Sequence, residues 1–374
     1  MSHTYSEFLP SYSVGVDCYK AIPEIVKPYG KKAVAVGGKT AMEKSKKALL
    51  EGIKGSDIEI IDFVWYGGDS SYENVEKIKD NPSVQKADMV FGIGGGRAVD
   101  TAKTYCALYN KPLFTFPTIA SNCASCTSLS VMYNPDGTFK EYSYHKAPAI
   151  HTFINTKIIA ESPEKLMWAG IGDALSKEYE VIFACREKNM IHTPLLGKAI
   201  ASASTEPLIS FGKKALEDCK NNVPTEAIEQ VALAIIITAG LVSNFTVHEN
   251  NPNPEEDYYY NSSLAHCVYY GASLFPQCER QHLHGEIVSF GVLCLLTYDG
   301  QFEERNRIFE FNHSIGLPCT LGEIALTPDD VPAIAHKAAS VVEWKYVPGN
   351  PTEDAFINAI LATDKAGKEF LADK

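Results

Sequence analysis

The chain has 374 residues, 45% of them hydrophobic and 21% charged, an ordinary globular composition at a length that implies roughly two domains. The formal net charge of −12 argues against nucleic acid or an anionic membrane as a main partner, because both select basic surfaces. The opening MSHTYSEFLP has no basic stretch followed by an apolar one, so the expectation is a cytoplasmic protein without a signal peptide.

In chain order, KAVAVGG (32–38) reads as a strand, TAMEKSKKALLEGIKG as a helix and IEIIDFV (58–64) as a strand. YENVEKIKD is helical, DMVFGIGGG (88–96) is a strand running into glycines, AVDTAKTYCALY is a helix and PLFTFPT (112–118) a strand. Strands alternating with helices predict βαβ units and a parallel sheet. LSVMYNPDGTFKEYSY (129–144) breaks the pattern: two runs flank Pro135-Asp136-Gly137, a hairpin signal. From Ser162 onward the apolar spacing is helical, starting with Ser162 and Pro163 as cap and first-turn residues. The expected division is therefore an α/β domain at 1–161 and an all-helical domain at 162–374. The run VALAIIITAGLV (231–242) is too short to span a bilayer and reads as a buried core helix.

The loop FGIGGGRAVDTAK follows a strand and opens a helix. Gly94, Gly95 and Gly96 carry no side chains, so a pyrophosphate can approach the backbone N–H groups at the positive end of the helix. The spacing is not G-x-G-x-x-G, so the loop reads as a candidate phosphate-binding site, with a tight turn as the alternative. Asp100 and Lys103, one turn further on, read as a solvated helix face. FPTIASNCASCTSLS follows the next strand, at the end where open α/β sheets bind ligands. Thr118, Ser121 and Thr127 there can hydrogen-bond phosphate or ribose. The Cys123-x-x-Cys126 pair has no second such pair to complete a zinc site and reads as pocket lining; buried cysteines in a reducing compartment are expected elsewhere.

Three segments carry candidate metal ligands. AGIGDALSK places Asp173 and Lys177 four residues apart, on one face of a helix. SSLAHCVYYGAS places His266 in a helix, and ERQHLHGEIVSFGVL places His282 and His284 before another. One carboxylate and two imidazoles with an open position suit catalytic zinc or iron(II). Spacing alone leaves His282 and His284 both open.

The strings GIGGGRAVDTAK, FPTIASNCASCTSLSVMYNPDGTF, AGIGDALSK, AHCVYYGAS and HGEIVSFGVL resemble the glycerol dehydrogenase branch of the iron-containing alcohol dehydrogenase superfamily, in the family's order and over nearly the whole chain. The resemblance implies a dehydroquinate synthase-like fold: an α/β dinucleotide-binding domain, with parallel sheet and β-hairpin, followed by a helical metal-binding domain. It implies a divalent metal, zinc or else iron, on Asp173, His266 and His284, which selects His284 over His282. It also implies NAD(P) with its pyrophosphate on Gly94, Gly95, Gly96, Arg97 and Ala98, and further contacts from Thr118, Ser121, Thr127, Leu129 and Tyr133. A small-molecule substrate and a homo-oligomer are expected.

Four positions depart from the pattern. Lys177 stands where the wider superfamily's iron enzymes keep a fourth ligand. Cys123 replaces an aspartate that touches polyols, and Tyr269 replaces a second histidine. Gly38, followed by Lys39, replaces the acid that accepts a ribose hydroxyl, which makes NADP plausible. The 122–137 loop and the helix at 170–180 look most like hydroxycarboxylate dehydrogenase A, a relative acting on 2-oxo and 2-hydroxy acids. The expectation is therefore hydride transfer between NAD(P)(H) and a small 2-oxo or 2-hydroxy acid, with Asp173, His266, His284, Lys177 and Cys123 at the reacting centre. The alternatives are a glycerol, vicinal-diol or aldehyde dehydrogenase of the same family, and a non-catalytic cofactor-binding scaffold.

Overall fold

The computed structural model describes residues 6–248 and 257–374. The chain divides into two compact units: residues 1–164 with 217–241, and residues 165–216 with 242–374. This differs from the single boundary expected near 161, because the chain returns to the first unit. Residues 217–241 pack there through specific contacts. Cys219 Sγ lies 3.7 Å from the Ile159 carbonyl oxygen. Gly240 leaves room for Cys126, whose Cβ would lie 2.7 Å from any Cβ at that position. The apolar run 231–242 lies within a longer helix, Glu226–Thr246, whose apolar window is mostly buried inside the fold.

In the first unit six strands form a wholly parallel sheet: β1 (Ser11–Val14), β2 (Lys32–Gly37), β3 (Glu59–Trp65), β4 (Met89–Gly94), β5 (Leu113–Pro117) and β8 (His151–Ile154). Their order is β1-β8-β5-β4-β2-β3. β6 (Leu129–Tyr133) and β7 (Phe139–Tyr144) form the expected separate antiparallel hairpin. Alternation along each strand feeds two cores. Ala33, Ala35, Phe91, Ile93, Phe114 and Phe116 fill one face, and Val34, Val36, Val90 and Leu113 the other. From β2 the chain steps one way to β3, then back past β2 to β4 and on to β5. The direction therefore reverses between β2 and β4, where open α/β sheets bind ligands.

The second unit is helical, with the helices Glu164–Ala184, Leu264–Ala272, His284–Tyr298, Phe302–Ile315 and Glu353–Ala372 its main members. His284–Tyr298 is buried from Gly285 to Thr297 and forms the axis of the core. A two-residue antiparallel ladder, Val247–His248 with Tyr258–Tyr259, departs from the all-helical expectation. None of the ten cysteines is in a disulfide; nine are buried and Cys123 is partly exposed.

Candidate functional site

Small residues set the geometry of the second unit's polar cluster. A Cβ on Gly285 would lie 1.8 Å from the Ala169 carbonyl oxygen, and one on Gly172 would lie 2.3 Å from the Gly285 carbonyl oxygen. The helices Glu164–Ala184 and His284–Tyr298 therefore meet backbone to backbone. Gly291 meets Ala265 in the same way, with 2.3 Å from an added Cβ to the Ala265 carbonyl oxygen. Asp173, His266 and His284 are the chain neighbours of Gly172, Ala265 and Gly285. Close backbone approach thus delivers the three side chains to one point.

There, one ligand atom from each of Asp173, His266 and His284 lies within 4.8 Å of the other two, the group among the described residues that gathers in this way. Asp173 Oδ1 is 3.2 Å from His284 Nε2 and 3.6 Å from His266 Nε2. Burial alone would raise the Asp173 carboxyl, but the His284 hydrogen bond and the charges of His284, His266 and Lys177 outweigh it and hold the group at about 2. His266 and Asp173 are buried, whereas the His284 side chain is 42% exposed, so the cluster is open on one side. Two imidazoles and an ionised carboxylate with an open side are donors that fit a catalytic divalent ion. His282 is not part of the group. Its Nδ1 lies 2.8 Å from Glu286 Oε1, while Glu286 Oε2 accepts from Leu283 N–H at the helix start.

Lys177 is buried one turn from Asp173, and its ammonium donates to Asn261 at both the side-chain oxygen (2.9 Å) and the carbonyl oxygen (3.2 Å). Two polar neighbours of the cluster, Glu180 and Asn261, escaped the sequence reading. Glu180 is fully buried and its Oε2 lies 2.7 Å from His266 Nδ1. The signal for it was present, since Asp173, Lys177 and Glu180 form a polar stripe at i, i+4 and i+7 on an apolar helix. Asn261 left no such periodicity, because it precedes its helix. The Tyr269 ring stands edge-on to His284 at 4.2 Å between centroids.

In the first unit the glycine loop lies at the carboxyl end of β4, beside that of β2, at the topological reversal. Gly94 has φ +138°, a conformation that favours glycine, and Gly95 is the N-cap of the helix Gly96–Tyr109 with no side-chain cap of its own. Its first N–H groups point out of the helix, the arrangement that receives phosphate. The Arg97 guanidinium stacks over Tyr133 at 4.7 Å and pairs with Asp69 at 3.3 Å. Ala98 is buried in the first turn, Gly38 is the N-cap of the helix Lys39–Gly52, and the Lys39 ammonium sits 4.6 Å over the Trp65 ring. Thr118 follows β5, and its N–H donates to the Gly94 carbonyl at 3.3 Å. Ser121 is half-buried in the same loop, and Cys123 precedes the turn Ala124–Cys126. Cys123 is therefore on the first unit, not on the helices that carry the ligand cluster.

The reading of Asp100 and Lys103 as a solvated face is overturned: both are buried and paired at 2.8 Å. The Lys103 ammonium also donates to the Thr127 hydroxyl (3.0 Å) and to the carbonyl oxygens of Thr127 and Leu129. Asp100 Oδ2 accepts from Val131 N–H at 3.2 Å. The pair thus pins the hairpin to the glycine-loop helix. It also occupies the Thr127 hydroxyl expected to meet cofactor.

The model of the iron-containing alcohol dehydrogenase family matches residues 10–154. A glycerol dehydrogenase from Thermotoga maritima is 31% identical over 316 residues, covering 81% of each chain. The chain belongs to the iron-containing alcohol dehydrogenase family. It is an oxidoreductase of the alcohol dehydrogenase type, in a family that binds NAD(H) and a divalent metal. Hydroxycarboxylate dehydrogenase A from Escherichia coli K12 is 29% identical over 331 residues, covering 87% of this chain and 85% of its own. The crystal structure of a glycerol dehydrogenase from Schizosaccharomyces pombe shares the fold, with a TM-score of 0.85 over 100% of this chain and 93% of that one at 24% identity. Family membership removes the non-catalytic scaffold reading.

Proposed function

We propose that this family member transfers hydride between a nicotinamide cofactor and a small neutral vicinal diol of the glycerol type, or its matching hydroxycarbonyl compound, with Asp173, His266 and His284 holding a divalent metal. The observation that carries the reading is the convergence of the three ligand atoms within 4.8 Å at an open-sided cluster. A divalent ion bound there supplies Lewis-acid polarisation of the substrate oxygen. The chain's own contribution is placement: the backbone N–H groups at Gly95 and Gly96 would receive a cofactor pyrophosphate, and Arg97, stacked on Tyr133, would place a cation beside it. Asp173, kept ionised, is ready as a ligand without having to lose a proton.

The choice of a neutral substrate rests on Lys177. Its ammonium is taken by Asn261 and lies among the carboxylates of Asp173 and Glu180, rather than standing free for a substrate carboxylate. The glycerol dehydrogenases among the relatives support the same choice. The second reading, a 2-oxo or 2-hydroxy acid, is favoured by the same lysine being a buried cation one turn from Asp173, by Cys123, and by the hydroxycarboxylate relative. Assays of zinc- and iron-loaded protein with glycerol and 1,2-propanediol against lactate and 2-hydroxyglutarate decide between them. Turnover confined to the acids overturns the diol assignment. On cofactor choice, Gly38 removes the acid that would repel a ribose 2′-phosphate, and Lys39 places a cation beside it; both favour acceptance of NADP(H) alongside NAD(H).

A further inference from the structure

Glu180 is a buried carboxylate that the chemistry above does not use. Its side chain is 0% exposed, and it lies on the helix Glu164–Ala184 two turns beyond Asp173. Oε1 accepts from the backbone N–H groups of Ser263 (2.7 Å) and His266 (2.9 Å), at the start of the helix Leu264–Ala272. Oε2 faces His266 Nδ1 at 2.7 Å. Oε1 therefore accepts two backbone hydrogen bonds and Oε2 is placed against Nδ1, all from the segment that carries His266.

An ionised carboxylate has no proton to donate. The Nδ1 position of neutral His266 must therefore carry the hydrogen, leaving the lone pair on Nε2. That is the atom facing Asp173 Oδ1 and His284. We infer that Glu180 is a positioning residue that fixes His266 in the Nδ1–H form and locks its ring angle, so that Nε2 is held ready as a metal ligand. This rests on the reading of Asp173, His266 and His284 as the metal-holding group. Carboxylates behind ligating histidines act in this way generally, and losing one costs about 10- to 100-fold in metal affinity.

Glu180→Gln separates this role from helix capping. Its amide oxygen satisfies the Ser263 and His266 N–H groups only when the amide NH2 faces the imidazole. The NH2 then donates to Nδ1, which drives the hydrogen onto Nε2 and turns the ligand atom into a donor. The reversed amide would set NH2 against two backbone donors. The capping contacts survive in the variant, and the imidazole tautomer inverts.

The test has two readouts. In metal-free protein labelled with 15N-histidine and taken to high pH, where the ring is neutral, long-range nitrogen–proton correlations report which His266 nitrogen bears hydrogen. Wild type is expected to be protonated at Nδ1 and Glu180→Gln at Nε2, with His266→Gln used for assignment. In competition with a chromophoric chelator, zinc affinity is expected to fall about 10- to 100-fold in Glu180→Gln. Glu180→Asp, which retains a carboxylate, is expected to fall less. An Nε2–H tautomer in wild type, or unchanged zinc affinity with an inverted tautomer in Glu180→Gln, overturns the inference. Wild type that binds no zinc would refute the metal reading alone, and the tautomer would still decide whether Glu180 orients the ring. Should Glu180→Gln fail to fold, Glu180→Asp and wild type carry both readouts, and equal zinc affinity together with a mixed wild-type tautomer overturns the inference.

Discussion

Replacing Gly285 with alanine tests whether close helix contact builds the ligand cluster. The new Cβ would sit 1.8 Å from the Ala169 carbonyl oxygen and 2.8 Å from Asp173 N, both backbone atoms that cannot rotate away. Ordinary carbon–oxygen contact needs about 3.3 Å, so the helices must separate by roughly 1.5 Å or distort. Overpacking of a tight core costs about 1–3 kcal/mol, and two backbone clashes place this variant at or above the upper end. At an unfolding entropy of about 2.1 cal/mol/K per residue, about 3 kcal/mol lowers the Tm of this 374-residue chain by roughly 4 °C. The same separation draws His284 away from Asp173, now 3.2 Å apart, so zinc affinity should fall along with stability. Gly322→Ala is the control, since a Cβ there meets nothing within 4 Å and its φ is ordinary. Calorimetry and zinc competition on both variants provide the measurement. A Gly285→Ala protein with wild-type Tm and wild-type zinc affinity refutes the reasoning.

Lys103→Met should destabilise the first unit by about 3–5 kcal/mol, because it leaves the Asp100 carboxylate buried and unpaired. Asp100→Asn combined with Lys103→Met should recover part of that in urea unfolding; strictly additive losses would deny the coupling. His145 and His151 should make the fold acid-labile. Burial, aided at His145 by Lys103, pushes His145 down to about 3, and burial pushes His151 down to about 4. Each therefore contributes stability that is present above the unfolded value of about 6.5 and is lost as pH falls towards the folded value. Urea midpoints at pH 7.5 and pH 5 should converge in a His145→Gln/His151→Gln variant relative to wild type, and an unchanged difference would assign the lability elsewhere. Lys39→Ala should weaken NADPH by roughly tenfold, the worth of a hydrogen bond to a charged group of about 1.5 kcal/mol, and leave NADH nearly unchanged. Equal effects on both cofactors would remove Lys39 from 2′-phosphate recognition.

The order of elements was legible because burial on both sheet faces produces short apolar strands, and glycines and the Pro135-Asp136-Gly137 turn punctuate them. β1 and β8 escaped for opposite reasons. β1 is a four-residue exposed edge strand with little apolar signal. β8 hides polar residues in a buried strand, where His151 bonds with the hydroxyls of Ser11 (2.7 Å) and Ser13 (2.9 Å). Asp100 and Lys103 look like any i,i+3 surface pair in one dimension; only the hairpin folding back over them buries them. The same holds for 217–241, whose helical spacing is plain but whose packing partner is set by contacts distant in sequence. Asp173, His266 and His284 were legible as candidates because a carboxylate and imidazoles in apolar helices demand an explanation. Lys177 was legible as a cation, but Asn261, which occupies it, lies 84 positions away.

Anomalous diffraction at the zinc edge, from crystals of zinc-loaded protein, tests the central claim most directly. One strong peak is expected about 2.0–2.2 Å from His266 Nε2, His284 Nε2 and an Asp173 carboxylate oxygen. A fully loaded protein with its zinc anywhere else, or with no peak at that cluster, contradicts it.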